Sequence, residues 1–332
     1  MTNPSPVSSP SKSRLPTREG VLRAADKIAA LLPRTPLLPL TLPRGETVWC
    51  KVESLQPVGA FKIRGAWHRL TDLTADERAR GIVAVSSGNH AQGVAWAAAR
   101  LGIAATIVMP ADAPEVKLSA TRALGADVVL YDRRTQSRDA IAAELVAQSG
   151  AILVHAFADA WVIEGQGSAG IELADQMASQ AGGTPTRIVC PCGGGGLASG
   201  LALACPEAQV VLVEPEHWDD VTRSLATGTI ETVAADAPPT ACDALQTMAT
   251  FPINFEVLRA HGVTGAAVTE SEIRAAQRLA FAALHLVIEP GGAVALAALI
   301  AGKVPADGRT AVILSGGNVD RTAYARMLVA QD

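Results

Sequence analysis

The 332-residue chain has no uninterrupted apolar run of the roughly 18 residues that a membrane-spanning helix needs, so no membrane partner is expected. Its opening, MTNPSPVSSPSKSR, is rich in Ser and Pro and lacks an apolar segment, unlike a signal peptide or an anchor. That absence of targeting implies a cytoplasmic location. Basic charge is not in excess: 28 Lys and Arg stand against 32 Asp and Glu, for a net −4. With no basic stripe either, nucleic acid is not an expected partner. Cysteine is scarce. Cys50, Cys190, Cys192, Cys205 and Cys242 make an odd number with no C-x-x-C pair, which fits reduced, buried thiols rather than a disulfide frame. No internal repeat is visible, and only residues 1–17 read as a disordered tail.

What is present is apolar, at 49% hydrophobic against 18% charged residues, enough for a large buried core. Short β-branched runs at 82–85, 106–109, 128–131, 187–192, 209–214 and 310–314 predict buried strands. Helices are predicted over 91–101, 114–124, 138–148, 270–284 and 292–301, the second with Pro at its start and Gly125 beyond its end. Such alternation predicts an α/β fold, with mostly parallel sheet covered by helices on both faces. Ligands in such sheets sit where strands end and helices begin. Four segments of that kind carry chemistry: around Lys62, at 86–93, at 193–196 and at 315–318.

The run Cys190-Pro-Cys-Gly-Gly-Gly-Gly-Leu197 leaves an apolar strand and enters a helix. Glycines let backbone N–H groups approach an anion, and the helix N-terminus adds partial positive charge. Three readings compete for this loop alone. One is a single phosphate. A second is a dinucleotide, since Gly194-x-Gly196-x-x-x-Gly200 approaches a Rossmann fingerprint and Glu214 ends the next strand. The third is a tight structural turn. The missing G-K-S/T excludes a nucleotide-triphosphate loop.

Lys62 stands in Gly59-Ala-Phe-Lys62-Ile-Arg-Gly-Ala66. Burial beside an aromatic ring and near other cations, such as Arg64, lowers a lysine's pKa and suits it to part-neutral, nucleophilic chemistry. A solvated lysine on an amphipathic helix is the bland alternative. The segment resembles the cofactor-lysine segment of fold-type II pyridoxal-phosphate enzymes, in particular serine/threonine dehydratases (threonine ammonia-lyases) and serine racemases. Ser86-Ser-Gly-Asn-His-Ala-Gln-Gly93 is similar to their substrate-carboxylate loop, Cys192-Gly-Gly-Gly-Gly-Leu197 to their phosphate loop, and Ser315-Gly-Gly-Asn318 to their pyridine-nitrogen segment. Order and spacing match from about residue 20 onward, which sets the Rossmann dehydrogenase reading aside.

The resemblance implies two open, twisted, mostly parallel sheets of the tryptophan synthase β-like kind. A small domain, 81–157, would be inserted in a large one made of 18–80 and 158–332. It implies pyridoxal 5'-phosphate held as a Schiff base by Lys62. Phe61, Asn89, Gly193, Gly194, Gly195, Gly196, Leu197 and Ser315 would bind that cofactor. Ser86, Ser87, Gly88, Asn89, His90 and Arg138 would receive a small amino-acid substrate, His90 through its backbone. A structural histidine in a turn is the bland alternative there. Glu214, the Trp218 carbonyl and Asp220 would hold Mg2+ or Ca2+, against the alternative of a solvated acidic loop.

The implied activity is β-elimination from a small L-hydroxy amino acid such as threonine or serine. Dehydration of 3-hydroxyaspartate and racemisation of serine, with Ser87 as opposite-face acid–base, are the alternatives. A second carboxylate would meet Arg138 or the Arg133-Arg134 pair. A homodimer is also implied. Val58, Ala60 and Glu164 depart from the family pattern, and as residues expected to border the site they mark a substrate other than threonine.

Overall fold

The computed structural model describes residues 14–113 and 115–330. Helix α1 (Arg18–Ala29) precedes an antiparallel hairpin of β1 (Leu37–Thr41) and β2 (Thr47–Val52), followed by α2 (Lys62–Thr71) and α3 (Ala75–Arg80). The next stretch holds β3 (Ile82–Val85), α4 (Asn89–Leu101), β4 (Ala105–Pro110), α5 (Glu115–Ala123), β5 (Asp127–Tyr131), α6 (Arg138–Ser149) and β6 (Ile152–Leu153). Then come α7 (Ala160–Gln180), β7 (Arg187–Pro191), α8 (Gly196–Ala204), β8 (Gln209–Pro215), α9 (Asp220–Thr227) and α10 (Pro252–Ala260). The chain finishes with β9 (Thr264–Val268), α11 (Glu270–Leu284), α12 (Pro290–Ile300), β10 (Thr310–Leu314) and α13 (Arg321–Val329).

These strands make two sheets. One runs β1-β2-β10-β7-β8-β9 and is parallel except at β1; the other runs β5-β4-β3-β6 and is parallel throughout. The period-2 alternation of strands sorts their residues onto opposite faces. On β10, Val312 and Leu314 join the core under α11 and α12, while Ala311 and Ile313 join the core under α7, α8 and α10. In the smaller sheet, Ile82 and Ala84 pack toward α2 and α4, and Val83 packs toward α6. Both sheets are thus covered on both faces, as the continuous apolar strands require. The five cysteines are free and buried in these cores.

Helix starts follow local chemistry. Thr74 with Glu77 caps α3 and Thr269 with Glu272 caps α11, each as a capping box. Pro290 occupies the first turn of α12, so that helix begins two residues before the expected 292. The expected start of a helix at Pro114 lies outside the described residues; α5 runs from Glu115.

Part of the expected tail needs correction. Residues 1–13 lie outside the described residues, but 14–17 are held. Arg14 donates to both Glu164 oxygens at 2.5–2.6 Å, the Thr17 N–H donates to Glu164 at 2.9 Å, and Thr17 caps α1. Composition suggested disorder; a buried carboxylate 150 residues away in sequence supplies the anchor.

Candidate active site

Lys62 is the first residue of α2, and its Nζ donates to the Ala156 carbonyl at 2.9 Å. Burial lowers its pKa to about 8, and the positive end of the helix dipole works in the same sense. The sequence reading credited nearby cations as well. Arg64 is instead engaged by Glu53 and Glu172, and burial is what depresses the amine. The Phe61 ring lies 5.2 Å from Nζ.

α2 is held in place at close quarters. A Cβ on Gly165 of α7 would fall 2.5 Å from Gly65 Cα, so the two helices cross backbone to backbone. Two residues beyond Lys62, the guanidinium of Arg64 is fully buried and donates five hydrogen bonds to Glu53, Glu172 and Ser168 oxygens.

A cavity of about 750 Å³ lies over the carboxyl ends of β3, β7 and β10. It is lined by Phe61, Lys62, residues 86–90, Arg138, residues 193–197 and Ser315. Every residue expected to bind cofactor or substrate therefore faces one space. Glu214, Trp218 and Asp220 do not line it, nor do Val58, Ala60 and Glu164. For Glu164 the expectation of bordering the site is corrected; Val58 and Ala60 lie directly behind the lining, Ala60 bridging Gly316 and the Val58 carbonyl accepting from Asn318, which also holds Asn89. Val58 and Ala60 are buried in the turn before Lys62, and Glu164 binds Arg14, Thr17 and His68 on the far side of α7.

The glycine loop caps α8 with Gly195 at φ +90°, a left-handed conformation suited to glycine. Gly195 offers no side-chain cap, so the first-turn N–H groups of α8 open toward the cavity as an anion site. The glycine at 194 answers to a further constraint: a Cβ there would fall 2.3 Å from the Phe157 ring. A depressed amine and an uncapped helix N-terminus in one cavity fit a phosphate-bearing aldehyde cofactor.

The substrate loop is half loop and half helix, since α4 begins at Asn89. The Asn89 amide is clamped: Nδ2 donates to Glu289 Oε1 at 2.6 Å, and Oδ1 accepts from Asn318 Nδ2 at 2.8 Å. One Asn89 N–H is left for a ligand. Glu289 is fully buried, which pushes its carboxyl up to about 7, and its Oε2 has no partner. His90 Nε2 lies 3.0 Å from the Val154 carbonyl, and burial lowers its pKa to about 3. Its ring is thus a neutral structural pin, which leaves the backbone for any ligand contact. Arg138 stands at the rim with its side chain 45% exposed.

Three cavity residues lie outside the four motif segments. His155 accepts from the Phe157 and Ala158 N–H groups through Nδ1, and burial lowers its pKa to about 4. It is a neutral imidazole packed against Phe157 and Phe251. Lys117 and Glu289 complete the set. Glu289 stands in Glu289-Pro-Gly-Gly292, which fits the family's later segments, whereas no local pattern marks His155 or Lys117.

The candidate cation residues lie elsewhere, at the end of β8. Glu214 accepts from the Val221 and Thr222 N–H groups and the Thr222 hydroxyl, and it does not line the cavity that holds the glycine loop, where a ribose would have to reach it. That removes the dinucleotide reading. Burial raises Glu214 to about 8 and Asp220 to about 7, and Asp220 Oδ2 is buried without a partner. Among the described residues no group of three or more His, Cys, Asp or Glu side chains is placed to hold a metal ion. No helix of the described residues is long and apolar enough to cross a membrane.

Two mostly parallel sheets, a part-buried lysine at a helix start and a glycine cradle facing it define a fold-type II pyridoxal-phosphate enzyme. Residues 28–316 match the family model of the pyridoxal-phosphate dependent enzymes, and the chain belongs to that family. It is 38% identical over 323 residues to an L-threo-3-hydroxyaspartate ammonia-lyase of a Pseudomonas species, covering 95% of this chain and 99% of the relative. It is 36% identical over 322 residues to a serine racemase of Schizosaccharomyces pombe, covering 95% and 98%. Among solved structures, a T.th. threonine deaminase superimposes with a TM-score of 0.83 at 39% identity, covering 92% of this chain and 99% of that one.

Proposed function

We propose that this enzyme eliminates the β-hydroxyl of a small 3-hydroxy-L-amino acid, giving a 2-oxo acid and ammonia. The observation that carries the proposal is the cavity shared by Lys62, residues 193–197 and Ser315. Bound there, pyridoxal phosphate supplies an electron sink for the substrate Cα. Lys62 would hold the cofactor and, once freed, take the Cα proton on Nζ; its pKa near 8 suits a base at neutral pH. The first-turn N–H groups of α8 would hold the phosphate, and the remaining Asn89 N–H would be available to the ring's 3'-oxygen. Ser315, which lines the cavity, would offer a neutral hydroxyl to the ring nitrogen, a partner that would favour elimination over transamination. The 86–90 loop at the start of α4 takes the substrate carboxylate, with Arg138 at the rim.

The decisive assay measures 2-oxo acid release from L-serine, L-threonine, both 3-hydroxyaspartate diastereomers and phenylserine, with magnesium present. Turnover of none of them ends the proposal. Racemisation is a second reading, favoured by Ser87 lining the same cavity. A chiral assay on serine with Ser87→Ala decides it: racemisation should be lost while elimination persists.

The same reading makes residues 81–157 a small domain that closes over substrate and the chain a homodimer, which sedimentation equilibrium checks. It also places Mg2+ or Ca2+ on Glu214, Asp220 and the Trp218 carbonyl. The unpartnered Asp220 oxygen and two carboxyls raised by burial support that placement. A hundredfold excess of cation over its Kd should add about 2.7 kcal/mol of stability. The melting temperature should rise by several degrees with either cation, and Asp220→Asn should abolish the rise. An unchanged midpoint in the parent protein removes the cation from this site.

A further inference from the structure

Lys117 is a cation that the chemistry above does not use. It lies on α5, only 6% exposed, and it lines the cavity. A Cβ on Gly88 would come within 3.3 Å of its Nζ, so the ammonium rests against the substrate loop. Across the cleft Lys117 forms an ion pair with Asp243, at the start of the short turn Asp243–Leu245. That turn, with Glu289 and Gly291, makes a wall of the cavity beside the substrate loop, to which Glu289 is bonded through Asn89. The ammonium therefore sits where the carboxylate loop meets that wall.

The two partners are unequally held. The Lys117 side chain is 8% exposed and that of Asp243 is 40% exposed. Asp243 can swing into water and be rehydrated, whereas Lys117 has no such exit. A buried ammonium whose anion can leave is an exchange site for another carboxylate. The other basic groups suggested for a second carboxylate are less well placed. Arg133 pairs with Asp112 on the surface, neither Arg133 nor Arg134 lines the cavity, and Arg138 is half exposed. The α-carboxylate does not require Lys117, because the first-turn N–H groups of α4 follow Gly88 without a side-chain cap.

We propose that Lys117 reads a second carboxylate on the substrate's β-carbon, exchanging Asp243 for it, which makes the preferred substrate a 3-hydroxy dicarboxylic amino acid. This rests on the ammonia-lyase reading of the same cavity. A methyl or hydrogen at that position would instead leave the Lys117–Asp243 pair closed and gain nothing from it.

The test is calorimetric binding of L-aspartate, which lacks the leaving hydroxyl, to the holoenzyme, with L-alanine as the monocarboxylate control. Lys117→Met should weaken aspartate by about 30- to 100-fold, the size of a buried charge-assisted bond, and leave alanine within about threefold. Lys117→Arg should keep most of the aspartate affinity. Asp243→Asn removes the competing anion and should tighten aspartate. Kinetics should follow, with kcat/KM lost for 3-hydroxyaspartate and kept for L-serine. Equal losses for aspartate and alanine would assign the ammonium to the α-carboxylate and overturn the proposal. No change in either, or no aspartate binding to the parent enzyme, would reduce Lys117–Asp243 to a structural pair. If the parent enzyme releases no 2-oxo acid at all, the ammonia-lyase reading fails, and the binding series still judges Lys117.

Discussion

Lys62→Met should abolish ammonia release while leaving the protein folded and at least as resistant to heat. The activity loss combines two effects. The cofactor can no longer be attached covalently, and the group that moves the Cα proton is gone; the second alone is worth about 10² to 10⁴ in rate. Stability should not fall, because methionine fills nearly the same volume and brings no amine that must be desolvated. In the parent chain that amine is partly desolvated and donates to the Ala156 carbonyl. Its lowered pKa has a second measurable consequence. At pH 7 a lysine of pKa about 8 is neutral in about one molecule in ten, against about one in 3,000 for an unperturbed lysine. Uptake of pyridoxal phosphate by apoprotein should thus accelerate with pH and level off above about 8. Borohydride should fix the cofactor to the parent protein and not to the variant. Retained turnover in Lys62→Met, or a cofactor fixed to it by borohydride, would remove Lys62 from its role.

How much of this was legible depended on the range of the interactions. Strands such as 82–85 and 310–314 were readable because burial on both faces makes them apolar without interruption. The loops that follow them were readable because the fold places ligands at strand carboxyl ends and because four segments resembled one family in order. The reasons were less legible than the residues. Gly194 serves Phe157 as well as any phosphate, and Lys62 is tuned by burial rather than by Arg64. Glu164 looked like a substrate marker from its place near the motifs, yet its partner is Arg14. Lys117 had no local signature at all, since its partner lies 126 residues away. Isolated charged residues read as solvated until the fold shows what surrounds them, and Glu164 and Lys117 are both buried.

Arg64→Met should be the most damaging single change outside the cavity, at about 3–5 kcal/mol, because it strands buried carboxylates. Glu53 and Glu172 grip the guanidinium, and Lys51 joins from β2 through Glu172 at 2.8 Å. Burial by itself would raise both carboxyls, but Arg64 together with Lys51 outweighs it and holds each below the ordinary range. Removing Arg64 leaves two anions facing one ammonium in a water-free layer. The sign of the pH effect follows. Depressed carboxyls stabilise the parent fold above the normal glutamate range, and that contribution is lost as pH falls through their lowered values. In the variant the same carboxyls titrate upward and become neutral on mild acidification. The gap in denaturation midpoint should therefore be widest near pH 7 and narrow below about pH 4. Arg64→Lys should recover only part of it, since one ammonium cannot fork onto two carboxylates. The sharper test is the combined variant Lys51→Met, Glu53→Gln, Arg64→Met, Glu172→Gln. With every charge gone it should be more stable than Arg64→Met alone, although it carries four substitutions instead of one. If it is less stable, the cluster holds α2 through packing and hydrogen-bond shape, and the electrostatic explanation of how Lys62 is positioned is wrong.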